Sequence, residues 1–234
     1  GKPCMEEIKP GFYRISLGLV NVYLLENESD LLLIDTGMPG SEGRILRQID
    51  RLGRRPSDLK WILVTHLHRD HSGSLAALKQ RTGARALMHP ADAALVRQGV
   101  ASRPSRPAPV LIYRLLFPLV MGGSGPMRIP PAEIEREIQP GERLPFGGGM
   151  EVIHAPGHSA GQVVLRWQRH GGVLIAGDAA STLLGLGYPP IFEDLPQGRS
   201  TLKILSELEF QTACFGHGKP LLVDASRKFR RRWG

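Results

Sequence analysis

Trp61–Thr65 reads WILVT, a continuous apolar run that ends directly on His66-Leu67-His68-Arg69-Asp70-His71. Such a run is the pattern of a strand covered on both faces, and a strand of that kind needs a layer packed on each side of its sheet. Four metal-capable side chains follow within six residues. While the chain stays extended, residues 66 and 68 project to the same side, so both imidazoles can meet one ion. Asp70 and His71 come where the chain turns into a helix, and adjacent residues in a turn can reach a second ion a few ångströms away. A lone histidine is most often a surface group or a hydrogen-bonded core residue. Four ligands in this register are better explained as a metal-binding segment.

The surrounding pattern is that of an α/β chain. Phe12 to Asp35 contains three short strand-like runs, FYRISL, VNVYLLE and LLLID, with a turn at Asn27–Asp30 and an end at Thr36-Gly37. Ser41 to Gly53 places Ile45, Leu46, Ile49 and Leu52 at helical spacing, with Ser41 to cap and Gly53 to stop it. Leu75–Arg81 reads as a helix, Ala84–Met88 as a strand and Ala91–Val96 as a helix. Residues 97–140 break the alternation with scattered prolines, and a long insertion of this kind is usually functional or disordered. Strands resume at Met150–His154, Gln162–Gln168, Val173–Ala176 and Thr212–Phe215, with a helix at Ser200–Leu208. Strands and helices thus occur once before the insertion and again after it, and two such halves packed face to face would bury both sheets.

With 234 residues, 41% of them apolar, the chain can close a substantial core, and a single domain over residues 4–234 is expected. The longest apolar stretch, Val110–Met121, is broken by Arg114 and Pro118 and falls short of the roughly 20 residues of a membrane span. The opening GKPCMEEIK has no apolar signal-peptide core. Two cysteines, Cys4 and Cys214, are too few for a disulfide framework, so a reducing, cytoplasmic setting is expected. The net charge of +8 would attract polyanions if it gathered on one face, but the arginines are spread along the chain.

Three further ligand candidates end strand-like segments in turn contexts: His158 in Ala155-Pro156-Gly157-His158, Asp178 after VLIAG, and His217 in Phe215-Gly216-His217-Gly218. Together with Val20-Asn21-Val22-Tyr23, Asp35-Thr36-Gly37 and His66–His71, these motifs resemble the metallo-β-lactamase superfamily, in its order and over nearly the whole chain. The resemblance implies a four-layer αββα sandwich of two similar β-sheet halves. It also implies a dinuclear centre in which His66, His68 and His158 hold one ion, Asp70, His71 and His217 hold a second, and Asp178 bridges them. Asp35 and His154 would orient ligands by hydrogen bonds rather than bind metal. Two divalent ions are expected, zinc before iron or manganese, because an imidazole and carboxylate set suits all three. Redox members with a di-iron centre are similar but have a carboxylate where this chain has His68, which favours hydrolysis.

Two ions roughly 3.5–4 Å apart can share a water and hold a bridging hydroxide near neutral pH, and Asp70 could steer or accept the proton of the attacking water. Family comparison narrows the bond to be cut. The superfamily's β-lactamases carry Cys or Ser where Asp178 stands, so β-lactam hydrolysis is disfavoured. Glyoxalase-II-type thioesterases share the ligands but add a helical glutathione-binding domain, for which the stretch after His217 is too short. Acyl-homoserine lactonases share ligands and length, although their tyrosine three residues past the bridging aspartate is Ser181 here, with Tyr188 or Tyr113 as substitutes. The expectation is a small-molecule hydrolase cutting a thioester, lactone or related ester. A nuclease or phosphodiesterase acting on RNA or DNA is the alternative, suggested by the basic run Arg227–Trp233. A non-catalytic metal-binding protein is disfavoured by the complete ligand set. The insertion, with Leu115, Leu116 and Phe117 foremost, is expected to form an apolar lid over the site that receives an acyl chain. An extra core helix or a homodimer contact is the competing use of those residues.

Overall fold

The computed structural model describes residues 5–27, 29–121 and 125–234, and for residues 119–121 their helical backbone. Cys4, Glu28 of the expected turn and the side chain of Met121 lie outside the described residues. In chain order the elements are β1 (Met5–Lys9), β2 (Phe12–Ser16), β3 (Asn21–Asn27), β4 (Asp30–Ile34), α1 (Glu42–Arg51), β5 (Leu59–Leu63), α2 (Arg69–Ser72) and α3 (Leu75–Thr82). There follow β6 (Arg85–Met88), α4 (Pro90–Val96), β7 (Arg106–Pro107), α5 (Leu111–Met121), β8 (Arg136–Glu137), β9 (Arg143–Leu144) and β10 (Met150–His154). The chain ends with β11 (Val163–Trp167), β12 (Val173–Ile175), β13 (Ile191–Phe192), α6 (Leu195–Ser206), β14 (Thr212–Cys214) and α7 (Ala225–Trp233).

Two sheets result. The first has the order β1-β2-β3-β4-β5-β6-β8 and the second β14-β12-β11-β10-β9. The first is antiparallel through β4 and parallel from β4 to β8, because α1, α3 and α4 carry the chain back over one face. The second repeats the scheme, with antiparallel strands and one parallel pair, β12 with β14, connected through α6. Phe12, Tyr23, Ile34 and Leu63 of the first sheet pack against Val152, Leu165, Trp167 and Ile175 of the second. Outside the first sheet, Ile45, Ile49, Leu78 and Val96 from the helices cover Val22, Leu33 and Ile62. Outside the second, Leu202, Leu205 and Phe229 cover Val164, Leu174 and Ala213. This is the expected αββα sandwich, and WILVT sits where a strand must be apolar on both faces: Ile62 meets the helices and Leu63 the other sheet. Each such side chain contributes about 1.5–3 kcal/mol on burial.

At one edge the sheets are joined by hydrogen bonds. Val163 N donates to Thr65 O at 2.9 Å, Asn21 N to Gly216 O at 2.8 Å and Tyr23 Oη to Phe215 O at 2.8 Å. That edge carries the C-terminal ends of β4, β5, β10, β12 and β14, where Asp35 and the candidate ligands follow.

Four regions differ from the sequence-based expectation. β1 adds a strand, with Ile8 buried, before the first expected one. α6 starts at Leu195 rather than Ser200, because the Asp194 side chain caps Gln197 N at 2.9 Å and Pro196 lies in the first turn. The basic run 227–233 is the outer face of α7, whose Ala225, Ser226 and Phe229 are buried. The insertion is narrower than residues 97–140, since Ala101, Ala108, Ile129, Ile134 and Ile138 are buried and β8 joins the first sheet. What stands out is α5, with Leu111 73% and Leu115 63% exposed. Among the described residues no helix is long and apolar enough to cross a membrane. Cys214 is buried and free, and burial pushes its thiol up to about 12, where it is inert as a nucleophile.

Candidate metal centre

β5 ends at Leu63, and the chain bends at Thr65 and His66 before His68, the N-cap residue of the single turn of α2. His71 N and Ser72 N donate to His68 O at 2.9 Å each, and Ser72 Oγ reaches back to Leu67 O at 2.7 Å. This turn sets the His71 ring beside that of His66, with centroids 4.1 Å apart, and His71 in turn joins Asp70 and His217 in a neighbouring group. His158 follows β10, Asp178 follows β12 and His217 follows β14. Gly216 is required here: a Cβ at this position would collide with the Asp178 carboxylate and the His71 ring.

The seven side chains converge in three overlapping groups that could hold an ion: His66, His68 and His158; His66, His71 and Asp178; Asp70, His71 and His217. In the first, His158 Nε2 lies 2.8 Å from His68 Nδ1 and 3.2 Å from His66 Nε2. Other contacts fix the tautomers. His158 Nδ1 donates to Ile191 O at 2.9 Å, and His66 Nδ1 to Thr65 Oγ1 at 3.0 Å. The neutral His66 and His158 rings therefore turn lone pairs toward each other across 3.2 Å, and lone pairs this close repel unless a cation lies among them. In the third group His217 Nδ1 donates to Leu19 O at 2.7 Å, leaving Nε2 3.1 Å from Asp70 Oδ2. Asp178 Oδ2 lies 3.2 Å from His217 Nε2 and 3.5 Å from both His71 Nε2 and His158 Nε2, between the two outer groups. His68 Nε2, His71 Nε2 and Asp178 Oδ1 are buried without a hydrogen-bond partner. Buried polar atoms are normally paired, so orphaned atoms at a converging cluster fit a cation site.

Asp35 holds the arrangement from behind. It accepts from Thr65 N at 2.7 Å, from Thr65 Oγ1 at 2.9 Å and from His71 Nδ1 at 2.9 Å. Through the Thr65 hydroxyl it also braces His66. Its backbone is left-handed, with φ of 64°, a conformation that costs a non-glycine residue of order 1–3 kcal/mol.

The electrostatics divide the cluster. Burial, reinforced by neighbouring imidazoles, pushes His66 well below the usual histidine value and His68 down to about 3. Burial also lowers His158, against the pull of Asp178. At His71 and His217 burial acts in the same sense but is overcome by Asp178, Asp70 and, for His71, Asp35. His71 rises well above its usual value and His217 to about 10. Burial would raise Asp70 and Asp178, yet the adjacent His71 and His217 hold both below the carboxylate range.

The other predicted residues stand apart. His154 stacks on His89 with ring centroids 4.3 Å apart and lies 2.8 Å, through Nε2, from Ala160 O, in the loop that carries His158. Tyr188 packs edge-on against Phe192. Leu115 and Leu116 are exposed on α5, and Phe117 is half-buried. The sequence reading assigned no role to Thr65 or to the carbonyls of Ile191 and Leu19. THLH could have suggested Thr65, but a carbonyl leaves no trace in sequence.

The Metallo-beta-lactamase superfamily family model matches residues 15–217, and the chain belongs to that superfamily, a family of metal-dependent hydrolases. An uncharacterized Bacillus subtilis protein, YobT, is 32% identical over 220 residues, covering 89% of this chain and 87% of the relative. A probable metallo-hydrolase of the same organism, YflN, is 26% identical and covers 92% and 86%. An N-acyl homoserine lactonase of Bacillus thuringiensis is 28% identical over 68% of this chain and 63% of its own. Among solved structures, the fold is similar to BJP-1, a subclass B3 metallo-beta-lactamase of Bradyrhizobium japonicum, at TM-score 0.74 and 21% identity, covering 99% and 91%. A metallo-beta-lactamase HARLDQ-motif mutant from Cronobacter sakazakii gives TM-score 0.71 and 24% identity, covering 93% and 80%.

Proposed function

We propose that this chain hydrolyses a small thioester, lactone or related ester at a dinuclear metal centre, with zinc as the preferred ion. The observation that carries the reading is the placement of Asp178 Oδ2 within 3.5 Å of nitrogens from both outer groups, which is what a shared ligand requires. His66, His68 and His158 would hold one ion, Asp70, His71 and His217 the other, with Asp178 common to both. When bound, the pair supplies Lewis acidity toward a carbonyl and a water ionised near neutral pH. The chain's own groups do the rest. Asp35 and Thr65 keep His71 and His66 in the tautomers that turn a lone pair inward, and the part-exposed Asp70 carboxylate would accept a proton from the attacking water.

An acyl substrate fits the surroundings of the site. β7 pairs with β13, and Ala108 N donates to Pro190 O at 2.9 Å, so the base of α5 is tied to the segment whose Ile191 carbonyl holds His158. Leu111, Ile112, Leu115 and Leu116 are exposed on that helix. An acyl chain laid against them would bury its methylenes. The lactonase relative points the same way. The test is metal analysis of the purified protein followed by a panel of lactone, thioester, β-lactam and phosphodiester substrates. Turnover of esters with metal present supports the reading. Preferential cleavage of a phosphodiester or a β-lactam would replace it.

A further inference from the structure

Asp92 lies in the first turn of α4, fully buried, and belongs to none of the three ion-capable groups. Its carboxylate gathers donors from three separate stretches of chain. Oδ2 accepts from Leu67 N at 2.9 Å and from Ser159 Oγ at 2.7 Å. Oδ1 accepts from Gly161 N at 3.0 Å and from Arg103 Nη1 at 2.6 Å. Leu67 is the residue between His66 and His68, and Ser159 directly follows His158. One carboxylate thus ties together the two loops that present the all-imidazole group. Close approach is built in, since a Cβ at Gly161 would run into the Asp92 side chain.

Arg103 completes the arrangement. Its guanidinium also reaches Ala91 O and, at 3.4 Å, Glu193, which in turn accepts from Ala160 N at 2.8 Å. Arg103 belongs to the segment leading into β7 and α5, so the same ion pair connects the protruding helix to the metal-binding loops. A first-turn acidic residue that merely complements the helix dipole would need no contact with Leu67 or Gly161. A buried carboxylate is retained only when nearly all its acceptor sites are used, and here every donor but Arg103 comes from a ligand-bearing loop.

We propose that Asp92 is a positioning residue that sets the spacing of the His66, His68 and His158 imidazoles, and that Arg103 locks it in place. This rests on the metal-centre reading above. Co2+ titration of the full chain, followed by d–d absorption and by chelator competition, tests it in the wild type, Asp92→Asn, Arg103→Ala and Arg103→Lys. The wild type is expected to take two ions. Asp92→Asn presents an amide N–H to donors and should weaken one ion about 10–100-fold, with an altered spectrum for that ion and the other unchanged. Arg103→Ala should shift the same ion by a smaller factor, and Arg103→Lys should restore part of it. Wild-type affinities and spectra in Asp92→Asn, or equal weakening of both ions in step with a fall in Tm, would overturn the proposal. If Asp92→Asn fails to fold, Arg103→Ala decides: selective loss at one ion supports the proposal, and no loss or uniform loss overturns it. A wild type that binds no Co2+ would instead remove the metal-centre reading on which the proposal stands.

Discussion

The two outer groups of the cluster are both held at the joined edge of the sandwich, yet they hold protons in opposite ways. Around His66, His68 and His158 the nearest ionisable neighbours are other imidazoles, so burial prevails and all three rings are driven toward the neutral form. Around His71 and His217 the same burial is outweighed by Asp70 and Asp178, and both rings are driven toward the charged form. The number of carboxylates, rather than depth, sets the protonation state. On the proposed dinuclear reading, one side would receive a cation at neutral pH as it stands, while the other would first release protons.

The largest effect expected from breaking this division is at Asp178, which faces both sides. Asp178→Ala should weaken both ions by more than about a hundredfold, since even residues that only brace ligands are worth 10–100-fold, and should abolish turnover. Retention of two tightly held ions with near-normal activity would mean that Asp178 is not shared. Asp35 comes next, because it braces His71 directly and His66 through Thr65. Asp35→Ala should lower metal affinity about 10–100-fold on both sides; chelator competition showing a loss on the His71 side alone would break the Thr65 relay.

A smaller effect is expected outside the division. Replacing Leu115, Leu116 and Phe117 by Ser should leave metal content intact while the preference for longer acyl chains collapses, by up to about fourfold in kcat/KM per methylene no longer buried. A changed oligomeric state with unchanged chain-length preference would assign α5 to a subunit contact instead.

The smallest effects are in pH dependence, and they sharpen the comparison most directly. The folded-state value of His68, near 3, lies below the ordinary 6.5, so its contribution to stability is present above about 6.5 and is lost as pH falls toward 3. For His217, raised to about 10, the contribution is full below about 6.5 and is lost as pH rises through 10. The metal-free protein should therefore show a Tm maximum between slightly acidic and neutral pH. Calorimetric titration at pH 8 in two buffers of different ionisation heat should find one ion bound with little proton release and the other with release of at least one proton. Equal release for both would erase the distinction.

The convergence of the candidate ligands was legible because their information is local. H-x-H-x-D-H at the end of WILVT needs only the geometry of one strand and one turn, and His158, Asp178 and His217 each end a strand-like run. The layers were legible for the same reason, since period-2 and period-3.6 patterns reflect which face is covered. Asp92 was not legible: within PADAALV it is an ordinary first-turn acidic residue, and its partners lie 11 to 69 positions away. The helix α7 was not legible, because five basic residues in Arg227–Arg232 concealed Phe229 and Trp233, which anchor it. At the insertion the prolines marked where regular structure stops, but tertiary packing returned Ala101, Ile129 and Ile134 to the core.

The left-handed backbone of Asp35 gives position 35 an evolutionary interest. Glycine there would adopt φ of 64° without strain, but it would leave Thr65 N, Thr65 Oγ1 and His71 Nδ1 buried without their acceptor, at about 1–3 kcal/mol each, which outweighs the strain relieved. The same exchange would free Thr65 and His71 to choose other tautomers and rotamers. A laboratory lineage selected only for survival on heating should therefore keep the strained aspartate, as should one selected for turnover, and both should accumulate their stabilising changes elsewhere.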